Sequence, residues 1–366
     1  MGDSERPTKR LHVESDTPLP SKSIQGSPWM TDGTIVLRAV SKTDEQVTYT
    51  LWKVHKSVLS YHCAFFRDLF GGPGDSTLLD NTSEQYDGVP VMDVQDVAED
   101  MAQFLKAMYS PAQLQQHHYT RTSGDRVAVN ATFPGMYAGI LRLAHKYDAK
   151  ELHGLVSLSL TQQWPSTREQ WTAVHRIGYK AENHPNPVEA IALGYMYNVP
   201  DILPTAFYDL YLSHEKEGLG RPYDLSPLDS SPQLLRYYII GRGFVNSAID
   251  GVGQTVLASS KLKELKEECE HGRGTTCRNG LTTWYYNHVR LYKSDANFLL
   301  GGIERMIELL RANTAEGACE TCQFGFSLML AEEREKFWAR LPTIFQVDGL
   351  VHEDWGAHPS HPMFPA

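Results

Sequence analysis

The sequence predicts an α/β unit of short strands and clustered helices, followed by a mainly α-helical unit. Three observations carry this. Three β-branched runs, TDGTIVLRAV (31–40), TYTLWKV (48–54) and GVPVMDV (88–94), fall within the first hundred residues. Between and after them the apolar spacing changes from two residues to about 3.6, which marks amphipathic helices. Beyond Pro165 no alternating run remains, and the apolar segments have helical composition and period.

In chain order, residues 1–28 mix Ser, Pro, Thr and both charge signs with few apolar groups, and are expected to form a disordered tail. Asp32-Gly33 is a turn signal leading into the first strand, and SKTDEQ connects it to the second. From Val58 the apolar groups Leu59, Phe65, Phe66, Leu69 and Phe70 suit short helices that supply core, and GGPGD stops them. After the third strand, Asp96 and Glu99 form a capping box, with Val97, Met101, Phe104 and Met108 as one apolar stripe. Pro111 ends that helix. Residues 112–133, including His117, His118 and Tyr119, read as a long polar loop. Pro134 suits a first helical turn, and Met136, Ile140, Leu143, Ala144 and Tyr147 share one helical face. A further helix runs from Glu151 to Trp164. In the second half, WTAVHRIGY, PVEAIALGYMYNV, ILPTAFYDLYL, PQLLRYYIIGR, KLKELKEECE, LTTWYYNHVRLYK, FLLGGIERMIELLRA and LMLAEEREKFWARL all favour helix. HEDWGAHPSHPMFPA, with three prolines and three histidines, reads as a second tail. The expected organisation is therefore tail 1–28, α/β domain 29–165, helical domain 166–350 and flexible tail 351–366.

The 366 residues are 41% hydrophobic and 21% charged, enough for sizeable cores. A net charge of −10 with dispersed Lys and Arg disfavours direct nucleic-acid binding. No run of 18 apolar residues occurs, so no membrane span is expected. The first residues lack the apolar segment of a secretory signal, and five cysteines do not make a disulfide framework. The expected location is intracellular, in cytoplasm or nucleus.

The order strand, strand, Val54-His55-Lys56-Ser57-Val58-Leu59-Ser60, Phe65-Phe66-Arg67-Asp68-Leu69-Phe70, strand, capped helix, then Leu141–Asp148 resembles the BTB/POZ domain over residues 29–165. IVLRAV and LRLAHKYDAKEL give it the flavour of fungal BTB proteins, and Ile202–Tyr208 and Cys319–Cys322 resemble segments of their helical second halves. The resemblance implies a non-enzymatic protein-interaction module that homodimerises and docks protein partners. A cullin scaffold of a ubiquitin ligase is one implied partner, and transcriptional regulation through partners is another role. It also implies that His55, where the second strand hands over to a helix, satisfies backbone groups. Some members pair a first-strand Asp with a basic residue in an inward pocket. Lys56 matches the basic half, but Thr34 stands at the Asp position and the nearest carboxylate is Asp32, which would leave Lys56 freer and more solvated.

Cys269 and Cys277 are separated by seven residues, and Cys319-Glu-Thr-Cys322 follows 41 residues later. Four thiols in two pairs are a ligand set for one structural zinc, since tetrahedral Zn²⁺ takes four N or S donors. The first gap is wider than the usual two to four residues, and His271 is a substitute donor in the same loop. A disulfide or redox pair and four unlinked thiols remain as alternatives. Zinc with four protein ligands would be structural, because no position stays open for water.

Catalytic signatures stop short of completion. HEDWG has Gly356 where a zinc-protease helix needs His, and Gly325-Phe326-Ser327 is followed by Met329 where a nucleophile elbow needs Gly. GVGQTV lacks its third glycine, and no phosphate loop of the G-x-x-x-x-G-K-[ST] type is present. Cys63 reads as a small buried hydrophobe, and Trp284, Tyr285, Tyr286 and Trp338 as helix-packing core.

Overall fold

The computed structural model describes residues 21–42, 46–71, 84–112, 114, 119–122, 126–129, 133–176, 185–215, 224–258, 269, 275–292 and 297–356. The chain divides into two compact units, Met1–Tyr109 and Ser110–Ala366. The molecule is mixed α/β, with one five-stranded sheet and otherwise mostly helix.

In the first unit, β1 (Ser21–Gln25), β2 (Ile35–Lys42), β3 (Val47–Val54), β4 (Gln85–Tyr86) and β5 (Val89–Val94) line up in the order β1-β3-β2-β5-β4. β2 and β3 pair antiparallel from Ile35↔Val54 to Lys42↔Val47, while β5 joins β2 in parallel. The period-two alternation of β2 sends Ile35, Leu37 and Ala39 to a face where all three are buried. Trp52, Leu59, Phe66, Met101, Phe104 and Leu105 are wholly buried in the same unit. They come from β3, α1 (Lys56–His62), α2 (Ala64–Gly71) and α3 (Ala98–Tyr109). Burying each such side chain is worth about 1.5–3 kcal/mol. Val36, Leu51 and Val91 form a second apolar cluster, covered in part by Trp29 and Val89. The Asp32-Gly33 turn forms as expected, with Gly33 N–H donating to Met30 O at 3.1 Å.

In the second unit, α4 (Ala138–Lys146) and α5 (Lys150–Gln163) form a pair, as do α7 (Pro187–Met196) and α8 (Leu203–Glu215). α6 (Arg168–Arg176) packs on α5. The 27-residue α9 (Pro232–Ala258) is about 40 Å long. It packs on α12 (Glu320–Ala339) and α13 (Leu341–Ile344), and α11 (Ile303–Arg311) lies against α12. α10 (Thr275–Tyr292) also contacts α12. Among the described residues no helix is long and apolar enough to cross a membrane.

Several expectations are corrected. Ser21–Gln25, placed in the tail, is an edge strand pairing in parallel with β3. Its side chains are all exposed, so backbone hydrogen bonds rather than burial hold it. The polar loop 112–133 contains an antiparallel hairpin, β6 (Tyr119–Thr122) with β7 (Arg126–Val129). His117 and His118 lie outside the described residues, as does all of KLKELKEECE except Cys269. The two compact units divide after Tyr109, and the segment carrying α4 and α5 is tied to later helices. The Phe133 ring stacks on Trp164 at 5.6 Å, Asn186 N–H donates to Phe133 O, and His153 Nε2–H donates to Tyr197 O.

The supposed C-terminal tail is docked as far as Gly356. His352 N–H donates to Asp201 Oδ1, Trp355 Nε1–H donates to Asp201 O at 2.8 Å, and the Trp355 ring stacks on Trp338. Phe65 is 48% exposed rather than core, because the buried face of α2 is centred on its neighbour Phe66. Leu69 and Phe70 are half-buried. Val97 is exposed too: α3 begins at Ala98, one residue past the expected stripe and box.

Candidate functional site

Four separate points of the chain deliver a thiol to one place. Cys277 lies in the first turn of α10, Cys319 is the N-cap residue of α12, and Cys322 follows one turn into that helix. Cys269 falls between α9 and α10 in sequence and is itself outside a helix. All four are buried, and their sulfurs lie within 4.8 Å of one another. Cys269 Sγ and Cys277 Sγ are 3.5 Å apart, and Cys319 N–H donates to Cys277 Sγ at 3.3 Å. An ion bound by thiolates at about 2.3 Å in a tetrahedron would set the sulfurs about 3.8 Å apart. The cage is thus sized for a single ion.

The surroundings suit an anionic metal–thiolate centre. α10 and α12 both bring their N-termini to the sulfurs, and a helix N-terminus offers unpaired N–H groups and a positive dipole end. Without a cation the balance differs. Burial, first of all, pushes the Cys277 and Cys322 thiols up from their ordinary value, so these two keep their protons at neutral pH when no cation is bound. A divalent cation binding there would displace them.

The turn before α12 fixes this geometry. Gln323, 3% exposed, accepts from Ala315 N–H at 3.0 Å and donates to Ala315 O at 3.2 Å and Ala318 O at 2.9 Å. From α10, Trp284 Nε1–H donates to Thr314 Oγ1 at 3.2 Å. Gly280 lets α10 approach the same turn: a Cβ there would sit 2.8 Å from Glu316 O and from the Gly317 carbonyl carbon. Gly317 itself has φ +78°, a conformation that favours glycine. The four cysteines anticipated from the sequence are therefore the four brought together, with both alternatives to zinc still chemically allowed by free thiols. His271 lies outside the described residues. Gln323 and Gly280 escaped the sequence reading; a glycine within a helical run, four residues before Trp284, was the one available signal of a close approach.

The strand-to-helix step differs from expectation in detail. His55 does not spend its ring on backbone groups. Nδ1 meets Tyr109 Oη at 2.9 Å and Nε2 meets Asp32 Oδ1 at 3.2 Å, while the His55 backbone N–H also donates to Tyr109 Oη. A backbone N–H and then His55 hold the Asp32 carboxyl below its usual range. Burial pushes the Tyr109 phenol up. Lys56 is held at both ends rather than left free. Its backbone N–H donates to Thr34 Oγ1 at 2.9 Å, and its ammonium lies 5.7 Å from the Phe70 ring centre. Cys63 is wholly buried, as expected. Trp284, Tyr285 and Trp338 are core, but Tyr286 is 57% exposed.

The first unit also displays apolar groups to solvent. Tyr61 of α1 is 73% exposed, and Phe65 of α2 and Val97 before α3 join it. In the second unit an open cleft of about 510 Å³ runs between α9 and α12, floored by Val252, Ile303 and Phe337. Its charged lining groups are Glu333, Lys336 and Arg340, of which the first two are bonded to each other at 2.8 Å. Compared with known protein families, curated proteins and solved structures, the chain matches none.

Proposed function

We propose that this chain is a non-enzymatic interaction protein. Its first unit acts as a BTB/POZ-type module that docks onto a second copy and presents protein-binding surfaces. Its helical unit is braced by one structural zinc on Cys269, Cys277, Cys319 and Cys322. Apart from the added two-residue strand β4, the described elements from Ile35 to Tyr109 follow the order strand, strand, helix, helix, strand, helix that the BTB/POZ resemblance leads one to expect, and so support the reading. The observation that carries the docking role is the pair of solvent-facing rings Tyr61 and Phe65 on consecutive helices above a packed core. A contiguous exposed apolar patch marks a contact surface, and these two rings on consecutive helices are the candidates to form one. A stable interface buries about 1,200–2,000 Å² in total, an area that a face built from α1 and α2 reaches only with flanking strands or loops included.

Light scattering of the reduced, full-length chain tests this. The expected mass at tens of micromolar is twice the 41.2 kDa of one chain, falling to one chain for the doubly substituted Tyr61→Asp, Phe65→Asp protein with unchanged circular dichroism. A single-chain mass for the unsubstituted protein at the same concentration overturns the dimer. For the second unit, elemental analysis of protein purified under reducing conditions is expected to give one zinc per chain. Metal-free protein with every thiol titratable overturns the zinc.

A further inference from the structure

We infer that the four-cysteine centre is an oxidation-sensitive clasp, in which a peroxide closes a Cys269–Cys277 disulfide and expels the ion. This rests on the zinc reading above and adds its regulation. The cage is asymmetric in the way such a device needs. Cys277, Cys319 and Cys322 sit in the first turns or at the cap of α10 and α12, whereas Cys269 belongs to neither helix. Cys269 and Cys319 are 8% and 7% exposed, against 1% and 2% for Cys277 and Cys322, so a small oxidant arriving from solvent meets one of the first two. Of these, Cys269 has the Cys277 sulfur 3.5 Å away. A disulfide needs about 2.05 Å, so these two sulfurs have about 1.5 Å to close.

The chemistry balances with hydrogen peroxide as oxidant. Zinc keeps the sulfurs as thiolates at neutral pH, and the thiolate is the nucleophile. Cys269 attacks one peroxide oxygen; the O–O bond breaks, a sulfenic acid forms and hydroxide leaves. The Cys277 thiolate then attacks that sulfur; the S–S bond forms, the S–O bond breaks and a second hydroxide leaves. Two protons convert the hydroxides to water. Two thiolates have lost two electrons to the peroxide, and zinc stays divalent throughout. The two thiolates left on α12 no longer complete a tetrahedral site, so the ion departs. A dithiol reductant returns the two electrons and restores the site.

The experiment uses the full-length reduced protein, with its zinc content measured first. A metal-free starting protein refutes the zinc reading itself. Given zinc, hydrogen peroxide is added while released zinc is followed with a chromogenic chelator, thiols are counted and disulfides are mapped by mass spectrometry. The expected result is release of the bound zinc, a fall from five thiols to three with Cys63 still reduced, and a Cys269–Cys277 peptide. A dithiol with added zinc reverses all three. Cys269→His keeps four donors, cannot form the disulfide, and should release zinc at least about tenfold more slowly. Zinc retained after complete peroxide consumption overturns the inference. So does release accompanied by a Cys319–Cys322 disulfide alone, or equal release rates for Cys269→His and the unsubstituted chain.

Discussion

Replacing Gln323 by Leu should weaken the second unit out of proportion to the size of the change. The side chain makes three hydrogen bonds, to Ala315 N–H, Ala315 O and Ala318 O, from a position 3% exposed. Each is worth about 0.5–1.5 kcal/mol, and a buried N–H left without a partner costs about 1–3 kcal/mol. Leu fills nearly the same volume, which offsets roughly 1 kcal/mol, so the net loss is about 3 kcal/mol. Urea unfolding followed by circular dichroism is the assay. With a slope of about 1–3 kcal/mol per molar urea, the midpoint of the helical transition should fall by roughly 1 M or more. The same turn presents Cys319 and Cys322, so zinc affinity should fall by up to about a hundredfold if the whole loss appears in binding. Gln323→Glu keeps the acceptor for Ala315 N–H but sets a carboxylate against two carbonyls, and should be at least as harmful. A Gln323→Leu protein within about 0.5 kcal/mol of the parent would refute the claim that this side chain holds the turn.

Three further outcomes are expected. Leu59→Ala, at a wholly buried position, should cost the first unit about 2–5 kcal/mol, whereas Phe65→Ala should leave monomer stability within about 0.5 kcal/mol; thermal melts of both variants compare them. The His352–Asp201 hydrogen bond raises the His352 pKa above its ordinary 6.5, so its contribution to docking is full below that value and fades as pH rises through the raised one. Trp355 fluorescence should therefore report loosening on the alkaline side and lose that pH dependence in Asp201→Asn; a flat profile between about pH 5 and 9 in the parent contradicts it. Chelation of the zinc should destabilise the second unit, by about 2.7 kcal/mol when free zinc had stood at a hundred times its Kd, with no change in the first unit's transition.

What the sequence revealed and what it hid follow from where each interaction is encoded. β2, β3 and β5 were legible because they are rich in β-branched and aromatic residues, and α3, α4 and α5 because their apolar spacing is helical. β1 and the β6–β7 hairpin were not, since SKSIQ and YTRT have little to bury and pair through backbone groups common to every residue. The ties of α4 and α5 to later helices were hidden for a related reason. Pro165 marks where a helix stops, but which neighbours the helix packs on is a long-range choice, made here by Phe133, Trp164 and Asn186. HEDWG looked like a tail because its partner, Asp201, lies 151 residues before His352.

The cysteine centre shows both sides of this. Its donor atoms were legible by type and by the two-residue gap of Cys319 and Cys322. Its convergence was not, because the 41 residues after Cys277 hold the helices that return the chain, and the spacing of residues in sequence says nothing about that return. What brings Cys277 and Cys319 together is the close passage of Gly280 against Glu316 and Gly317, with backbone atoms where a side chain would otherwise stand. That contact makes a separable demand on the reasoning. Gly280→Ala gains about 1 kcal/mol of helix propensity yet places a methyl 2.8 Å from backbone, where overpacking costs about 1–3 kcal/mol. The helix alone predicts a more stable protein and the packed turn predicts a less stable one with weakened zinc. A chemical melt of Gly280→Ala, read beside its zinc content, decides between them, and a stabilised variant with full zinc would show that α10 and α12 are held together by something other than this approach.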